Sequence, residues 1–241
     1  MNSHSISEHA VAACVFMALG IAGCKATSDA AESFGSPTVS NLDQIADVRR
    51  DPQWDTVIFA RSTDLGQELD SEQVYAELLG RAAYQELAQY FLYAYRDDLR
   101  LVDPRIELVP SGINTDRLGY RQIKFSQVYR NLPVVDCELI VQLNPSSQLH
   151  LLQGRYITTP DFDDISPAIS QDEASRIVTS DLQDEIRVDS MQVVIFPDAS
   201  GRTFLAYDIQ VNRGELDGAR IILDANTGQE LRKTPTSYTG R

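Results

Sequence analysis

The sequence contains few of the residues from which most catalytic and metal sites are built. Its 241 residues include three cysteines, three histidines and one tryptophan. Three cysteines are too few for a disulfide framework. Two of the histidines, His4 and His9, lie at the amino terminus, so that only His150 follows them. A zinc site built on two or three imidazoles is therefore excluded, and we expect His150 to be an ordinary strand residue.

Basic residues are also scarce relative to acidic ones. Lys and Arg together number 21 and Asp and Glu number 35, which gives a formal net charge of −14. This field repels a phosphate backbone, so we expect no nucleic-acid partner and a preference for basic protein partners. The hydrophobic share of 43% and the charged share of 23% are typical of a globular chain. We therefore expect one large or two small folded domains.

A charge-free run lies near the amino terminus but is too short to cross a membrane. Residues 10–22 read AVAACVFMALGIA, a run of 13 residues, whereas a membrane-spanning helix needs about 20. The run instead fits the hydrophobic region of a signal peptide. It leads into Ile21-Ala22-Gly23-Cys24, which resembles the lipobox of bacterial lipoproteins.

The lipobox resemblance implies a lipid-anchored protein of the bacterial cell envelope. In such lipoproteins the signal peptide, here residues 1–23, is removed, and the cysteine, here Cys24, is acylated with diacylglycerol and palmitate. Lys25 follows the cysteine, and a residue other than Asp at that position usually accompanies sorting to the outer membrane of Gram-negative bacteria. The alternative is an ordinary signal peptide that ends beside an incidental cysteine.

Alternating polarity places the third cysteine inside a strand. The apolar face of this strand consists of Val135, Cys137, Leu139, Val141 and Leu143, and the other face carries Asp136, Glu138 and Gln142. A buried cysteine behaves as a small hydrophobic residue. We therefore expect a structural role for Cys137 and no reactivity.

The rest of the chain divides into a tether, two modules and a tail. Residues 24–53 are rich in Ser, Ala, Thr and Asp and predict a flexible tether. The larger module, residues 54–160, has a short strand at 54–60, a helix from Asp70 or Ser71 to about Tyr95, and strands at 106–109, 120–129, 134–143 and 149–157. The smaller module, residues 165–233, has a helix that begins at the capping box Ser170–Glu173 and contains Leu182, followed by strands at 191–196, 204–211, 221–223 and 229–232. Residues 234–241 are expected to be a frayed tail.

Each module thus pairs a helix with antiparallel strands. This order predicts an α+β fold of two consecutive modules, each a helix packed on an antiparallel sheet, of the cystatin-like type. The connector, residues 158–167, contains Asp161, Asp163 and Asp164. A calcium loop counted from Asp161 would need Gly at the sixth position and Glu at the twelfth, where the chain has Ser166 and Asp172. We interpret the connector as a solvated linker without metal.

Two segments resemble a known protein family. Residues 118–134, LGYRQIKFSQVYRNLPV, are similar to the core of the fungalysin/thermolysin propeptide (FTP) domain. Two features depart from the family pattern: Lys124 replaces the commoner Arg, and Arg130-Asn131-Leu132 stands where the family usually has a glycine before the turn. Residues 205–207, LAY, and the hairpin 223–228, LDANTG, resemble a PepSY domain. The two domains in this order precede the catalytic domain of secreted thermolysin-like metallopeptidases. The resemblance therefore implies a propeptide-like protein.

No catalytic motif accompanies these modules. The 241 residues contain no His-Glu-x-x-His, no G-x-S-x-G, no Walker loop and no Rossmann glycine pattern. We therefore expect a protein that is not an enzyme and has no cofactor. Three functions remain open: a free-standing propeptide that binds a metallopeptidase in trans as inhibitor or folding assistant, an envelope lipoprotein that uses the fold as a binding module, and the remnant of a truncated metallopeptidase gene.

Overall fold

The computed structural model describes residues 41–62, 81–180, 187–212 and 217–237. Cys24 and its lipobox, the first part of the long predicted helix, Leu182 and the last four residues of the chain lie outside these ranges. No helix in the described ranges is long and apolar enough to cross a membrane.

The described residues form ten strands and five helices. The strands are β1 (Asp47–Arg50), β2 (Val57–Arg61), β3 (Leu108–Thr115), β4 (Arg121–Tyr129), β5 (Leu132–Leu143), β6 (Leu149–Arg155), β7 (Arg187–Pro197), β8 (Thr203–Asn212), β9 (Asp217–Asp224) and β10 (Glu230–Ser237). The helices are α1 (Leu42–Ile45), α2 (Arg81–Ala94), α3 (Arg96–Leu99), α4 (Pro104–Glu107) and α5 (Gln171–Ser180). The predicted α+β fold with mostly antiparallel strands is confirmed.

The first sheet has the strand order β1-β2-β6-β5-β4-β3 and is antiparallel throughout. One face is the core, because the paired residues Ile123, Val141 and Leu152 are almost completely buried. Helix α2 lies on this face, where Leu87 and Phe91 are fully buried. The alternation of apolar residues in β4 and β5 thus faces the helix as the sequence predicts.

The β4–β5 turn is tighter than the four residues expected from the sequence. Tyr129 pairs directly with Leu132, so the turn contains only Arg130 and Asn131. Both adopt left-handed backbone conformations, with φ of 47° and 68°. A two-residue turn of this kind matches the twist of a hairpin, and asparagine tolerates it better than most residues. The glycine typical of the family is therefore dispensable here.

The second sheet has the strand order β5-β7-β8-β9-β10. It shares β5 with the first sheet, because Val134 at the start of that strand pairs in parallel with Ile195. Helix α5 begins at the predicted cap, where the Ser170 hydroxyl accepts a hydrogen bond from the Glu173 amide at 3.2 Å. Ala174 and Val178 form its buried face. The strand shared by both sheets links the two modules through backbone hydrogen bonds.

Regular secondary structure begins before the end of the tether that the sequence predicts at residues 24–53. Helix α1 and strand β1 both lie before Gln53, and Leu42 is completely buried. The Asp98 carboxylate accepts a hydrogen bond from the Leu42 amide at 3.1 Å, which fixes this segment to α3. Apolar residues at 42, 45 and 48 within a polar stretch were the only signal of this structure in the sequence.

Two other predicted boundaries also differ. The strand expected at 106–109 begins only at Leu108, because Asp103 caps a helical turn by accepting from the Arg105 amide at 3.0 Å. At the other end of the chain, β10 continues to Ser237, so Thr234 to Ser237 are paired with β9 instead of frayed. Trp54 lies in a turn before β2 and not in the strand.

Candidate functional site

A buried glutamine fixes the end of the first sheet. Gln127 in β4 is 1% exposed. Its amide group donates to the Ile157 carbonyl at 2.8 Å and accepts from the Ile157 amide at 3.0 Å. The adjacent Tyr156 is anchored as well, since its carbonyl accepts from the Thr56 hydroxyl at 2.9 Å. Gln127, which lies within the FTP-like segment at residues 118–134, therefore secures the point where the chain leaves β6.

A close approach of two strands requires a glycine beside this anchor. Gly154 in β6 pairs with Leu139 in β5. A Cβ atom at position 154 would overlap the Glu138 carbonyl oxygen and lie 2.9 Å from the Leu139 Cα. These are backbone atoms, which cannot move aside as a flexible side chain would. Only glycine fits at this position.

Ionic hydrogen bonds join β5 to the far strands of the second sheet. We call Asp136, Asp208, Arg220 and Arg232 the junction network. Arg220 donates to both oxygens of the buried Asp208 at 2.9 and 2.7 Å and to Asp136 at 3.2 Å. Arg232 approaches the second oxygen of Asp136 at 2.7 Å. Asp136 therefore contacts both arginines, and its backbone is left-handed, with φ of 56°.

Contacts within the junction network shift the pKa values of Asp136 and Arg220. Burial raises the pKa of Asp136, but the hydrogen bonds and charges of Arg232 and Arg220 outweigh that effect, so that the net pKa is lowered. The carboxylates of Asp208 and Asp136 raise the pKa of Arg220. Both shifts favour the charged forms of Asp136 and Arg220.

An apolar cluster connects the same strands. It consists of Val135, Val194, Phe196, Ala206 and Ile222, with Phe204 and Leu231 packed against it. The Arg232 guanidinium lies 5.1 Å from the centre of the Phe196 ring, so the junction network borders this cluster. Val134 and Val135 at the start of β5 are both buried, and Val135 belongs to this cluster.

The β9–β10 hairpin is tied to the connector and to α5. The Asp224 carboxylate accepts from the amides of Asn226 and Thr227 at 2.7 and 3.0 Å, as its position in the turn predicts. Gly228 has φ of 74°, and a Cβ there would lie 2.8 Å from Ile177 of α5. The Ala225 carbonyl accepts from the amides of residues 168 and 169, both at 3.1 Å. The PepSY-like hairpin thus positions the chain as it enters α5.

Cys137 and His150, the two residues considered for chemistry, lie on neighbouring strands of the first sheet. Cys137 is buried in β5 as predicted, and burial raises its thiol pKa to about 12. His150 is a half-buried residue of β6 whose ring lies 5.3 Å from that of Tyr120. Burial and the charge of Arg61 lower the pKa of His150. A thiol with a raised pKa is a poor nucleophile at neutral pH.

The acidic connector makes local hydrogen bonds. Asp164 accepts from the Ser166 amide at 2.9 Å, and hydrogen bonds from the side chain and the backbone of Ser166 lower the pKa of Asp164. The Phe162 amide donates to the Tyr129 hydroxyl at 3.4 Å, so the connector contacts the first sheet. Among the residues that the structure describes, no group of three or more His, Cys, Asp or Glu side chains has metal-binding geometry.

A polar recess of about 380 Å³ lies where the amino-terminal segment meets α3. The Arg50 guanidinium spans it, donating to the carbonyls of Asp55 and Asp98 at 3.0 and 2.9 Å and to the Asp43 carboxylate at 3.0 Å. Arg100 pairs with Asp55 at 2.7 Å. These charged side chains form hydrogen bonds and ion pairs within the recess, so the recess serves to hold α1 and β1 in place. Sequence reasoning missed it because its members come from segments about 50 residues apart.

Comparison with known proteins agrees with the sequence pattern. The family described as Fungalysin/Thermolysin Propeptide Motif matches residues 107–156, which run from the end of α4 to Tyr156. Among curated proteins, thermolysin from Alicyclobacillus acidocaldarius subsp. acidocaldarius and thermolysin from Bacillus caldolyticus are each 29% identical over 171 residues. Each alignment covers 65% of this chain and 31% of the relative. The chain thus spans about a third of the length of these relatives.

Among solved structures, the Bacillus megaterium YpeB C-terminal domain aligns over 89% of this chain and 98% of its own length. The identity is 13% and the TM-score 0.36, which is too low to support an inference about the fold.

The family match and the two thermolysins confirm the expected resemblance to the propeptides of thermolysin-like peptidases. Residues 107–156 match the Fungalysin/Thermolysin Propeptide Motif, which describes propeptides and not catalytic domains.

Proposed function

We propose that this chain is a non-catalytic, propeptide-like protein that binds a thermolysin-like metallopeptidase in trans, as an inhibitor or a folding assistant. The observation that carries the proposal is the propeptide motif at residues 107–156, built into a complete sheet with a buried core. Only three histidines occur in the 241 residues. His4 and His9 lie in the proposed signal peptide, whose removal leaves His150 alone, so a zinc site made of two imidazoles would need histidines from another protein.

The second module supports the same proposal. It keeps the capped helix and the Asp224–Gly228 turn that we compared with a PepSY domain, and the turn packs against that helix. Strand β5 and the junction network hold the two modules to each other. A rigid pair of modules loses less conformational entropy on binding than two freely jointed ones, which favours a stable complex.

A titration of peptidase activity tests this function. The chain from Lys25 onward, which holds every described element, is added to a thermolysin-like peptidase of the same organism. We expect stoichiometric inhibition at submicromolar concentration that is relieved as the chain is digested. A variant with Gly154→Ala, which destabilises the first sheet, is expected to be digested faster and to show a shorter phase of inhibition. Rapid digestion of the unchanged chain without inhibition would leave an envelope binding module or a gene remnant as the explanation.

We also propose that the protein is anchored in the cell envelope through Cys24. The support is the Ile21-Ala22-Gly23-Cys24 sequence directly after an apolar run of 13 residues. Metabolic labelling of the full chain with an alkynyl palmitate analogue tests the anchor. We expect Cys24→Ser to abolish labelling and Cys14→Ser, a matched change within the signal, to leave it unchanged. Labelling that survives Cys24→Ser would overturn the anchor without affecting the proposed binding function.

A further inference from the structure

The first sheet has a second face, opposite α2, that is open to solvent in the described residues. Its central row runs across five strands through Lys124, Ile140, Gln153, Phe59 and Arg49, each paired with the next. A second row contains Gln122, Gln142, Leu151, Arg61 and Asp47, and a third contains Val109, Ser126, Glu138 and Arg155. We call these three rows the open face.

Exposure separates the open face from the core face. The side chains of Lys124 and Glu138 are 45% and 49% exposed, whereas their neighbours Ile123 and Leu139 on the other face are completely buried. The apolar members Phe59, Ile140 and Leu151 are half-buried, and Val109 is 47% exposed. Helix α2 does not cover this side, because its Tyr84 ring lies under Arg121, which belongs to a row of the core face.

The open face has the opposite charge to the chain as a whole. It carries four basic residues, Arg49, Arg61, Lys124 and Arg155, and two acidic ones, Asp47 and Glu138, which gives a local charge of +2. The whole chain has a charge of −14. Acidic side chains are therefore concentrated elsewhere, and this face is the part of the first sheet that attracts an anionic partner.

We propose that the open face is a docking surface for an acidic protein surface with apolar residues at its centre. Apolar side chains, amides and arginines together are the composition of protein interfaces. Arg49 stacks over Phe59 with 4.1 Å between the guanidinium carbon and the ring centre, so its charge is held in place on the face. The proposal goes beyond the function proposed above, since it does not depend on the partner being a peptidase.

Two other occupants fit the charges less well. A second copy of this chain would present the same basic rows in a twofold contact, which brings like charges together. An anionic membrane attracts a surface by about 1 kcal/mol per basic residue, and the acidic remainder of the chain would oppose that attraction. Three rows over six strands cover on the order of 500 Å². This area is below that of a standard interface, so we expect a weak, salt-sensitive complex.

A fluorescent random copolymer of glutamate and tyrosine is a suitable probe, because it combines carboxylates with apolar rings. Its anisotropy is titrated with the chain from Lys25 onward. We expect a micromolar Kd that rises at least tenfold in Arg49→Glu/Arg61→Glu/Arg155→Glu and also rises with salt. The matched control is Arg117→Glu/Arg176→Glu/Arg187→Glu, which changes the same charge at three exposed arginines elsewhere. We expect the control to retain at least half of the affinity, and urea unfolding shows that both variants fold.

Three results would overturn the proposal. The first is no copolymer binding by the unchanged chain, and the second is an equal loss in both triple variants. The third is evidence for a different occupant of the open face. In that case the unchanged chain would bind phosphatidylglycerol vesicles or form a dimer in sedimentation. The triple variant of the open face would lose this binding or this dimer and would still bind the copolymer. Peptidase inhibition is measured separately, so failure of the open face and failure of the proposed function are distinguishable.

Discussion

Replacement of Gln127 by methionine tests whether the propeptide motif anchors the end of the first sheet. Methionine has a similar length and flexibility but neither donates to nor accepts from the backbone of Ile157. Both backbone groups of Ile157 are buried and would lose their partners. Each unsatisfied group costs about 1–3 kcal/mol, and the added apolar side chain recovers part of that. We expect Gln127→Met to lower the free energy of unfolding by about 2–4 kcal/mol.

The assay is urea unfolding of the chain from Lys25 onward, followed by circular dichroism. The matched control is Gln122→Met in the same strand, where the glutamine lies on the half-exposed open face. A surface substitution of this kind changes stability by about 0.5 kcal/mol or less. Equal effects of the two substitutions would refute the anchoring role of Gln127. A change in the slope of the unfolding curve would show instead that the unfolded state had changed.

Three further predictions rest on individual contacts. Gly154→Ala should destabilise the protein by about 3 kcal/mol in urea unfolding. Gly112→Ala is the control and should not destabilise the protein, because a Cβ atom there would meet nothing nearer than 4.0 Å. Equal effects of the two substitutions would contradict the close approach of β5 and β6 at Gly154. Asp136→Asn should cost about 1 kcal/mol after solvent screening. Because the folded pKa of Asp136 is lowered from 3.8, this cost should be present at neutral pH and vanish as the pH falls through the folded pKa; a cost that persists in strong acid would exclude a charge effect. The Cys137 thiol, with its pKa raised to about 12, should resist iodoacetamide at pH 8 until urea unfolds the chain, and rapid labelling of the folded protein would show that the site is accessible.

Local patterns in the sequence predicted the elements that alternate or carry a cap. Strands β4 and β5 alternate clearly, and the buried position of Cys137 followed from that alternation alone. The cap at Ser170 and the turn at Asp224 depend on side chains within four residues, so they too were readable. The FTP resemblance rested on the same strands and is confirmed over residues 107–156.

The features that pair distant residues were not readable. Gln127 could be placed on an apolar face, but its partner Ile157 is 30 residues away. Asp136 meets Arg220 across 84 residues, on a strand of the other module. The open face was invisible for a similar reason, since its basic residues come from four strands. The net negative charge of the chain predicted basic partners. The register of the strands, however, places basic residues next to one another on the open face, which is locally positive.

The most direct test of the account is binding to a peptidase that cannot digest the chain. A thermolysin-like peptidase of the same organism, with the glutamate of its His-Glu-x-x-His motif replaced by alanine, is titrated with the chain from Lys25 onward in a calorimeter. We expect a one-to-one complex with a submicromolar Kd. The absence of binding by the folded chain would contradict a propeptide function in trans.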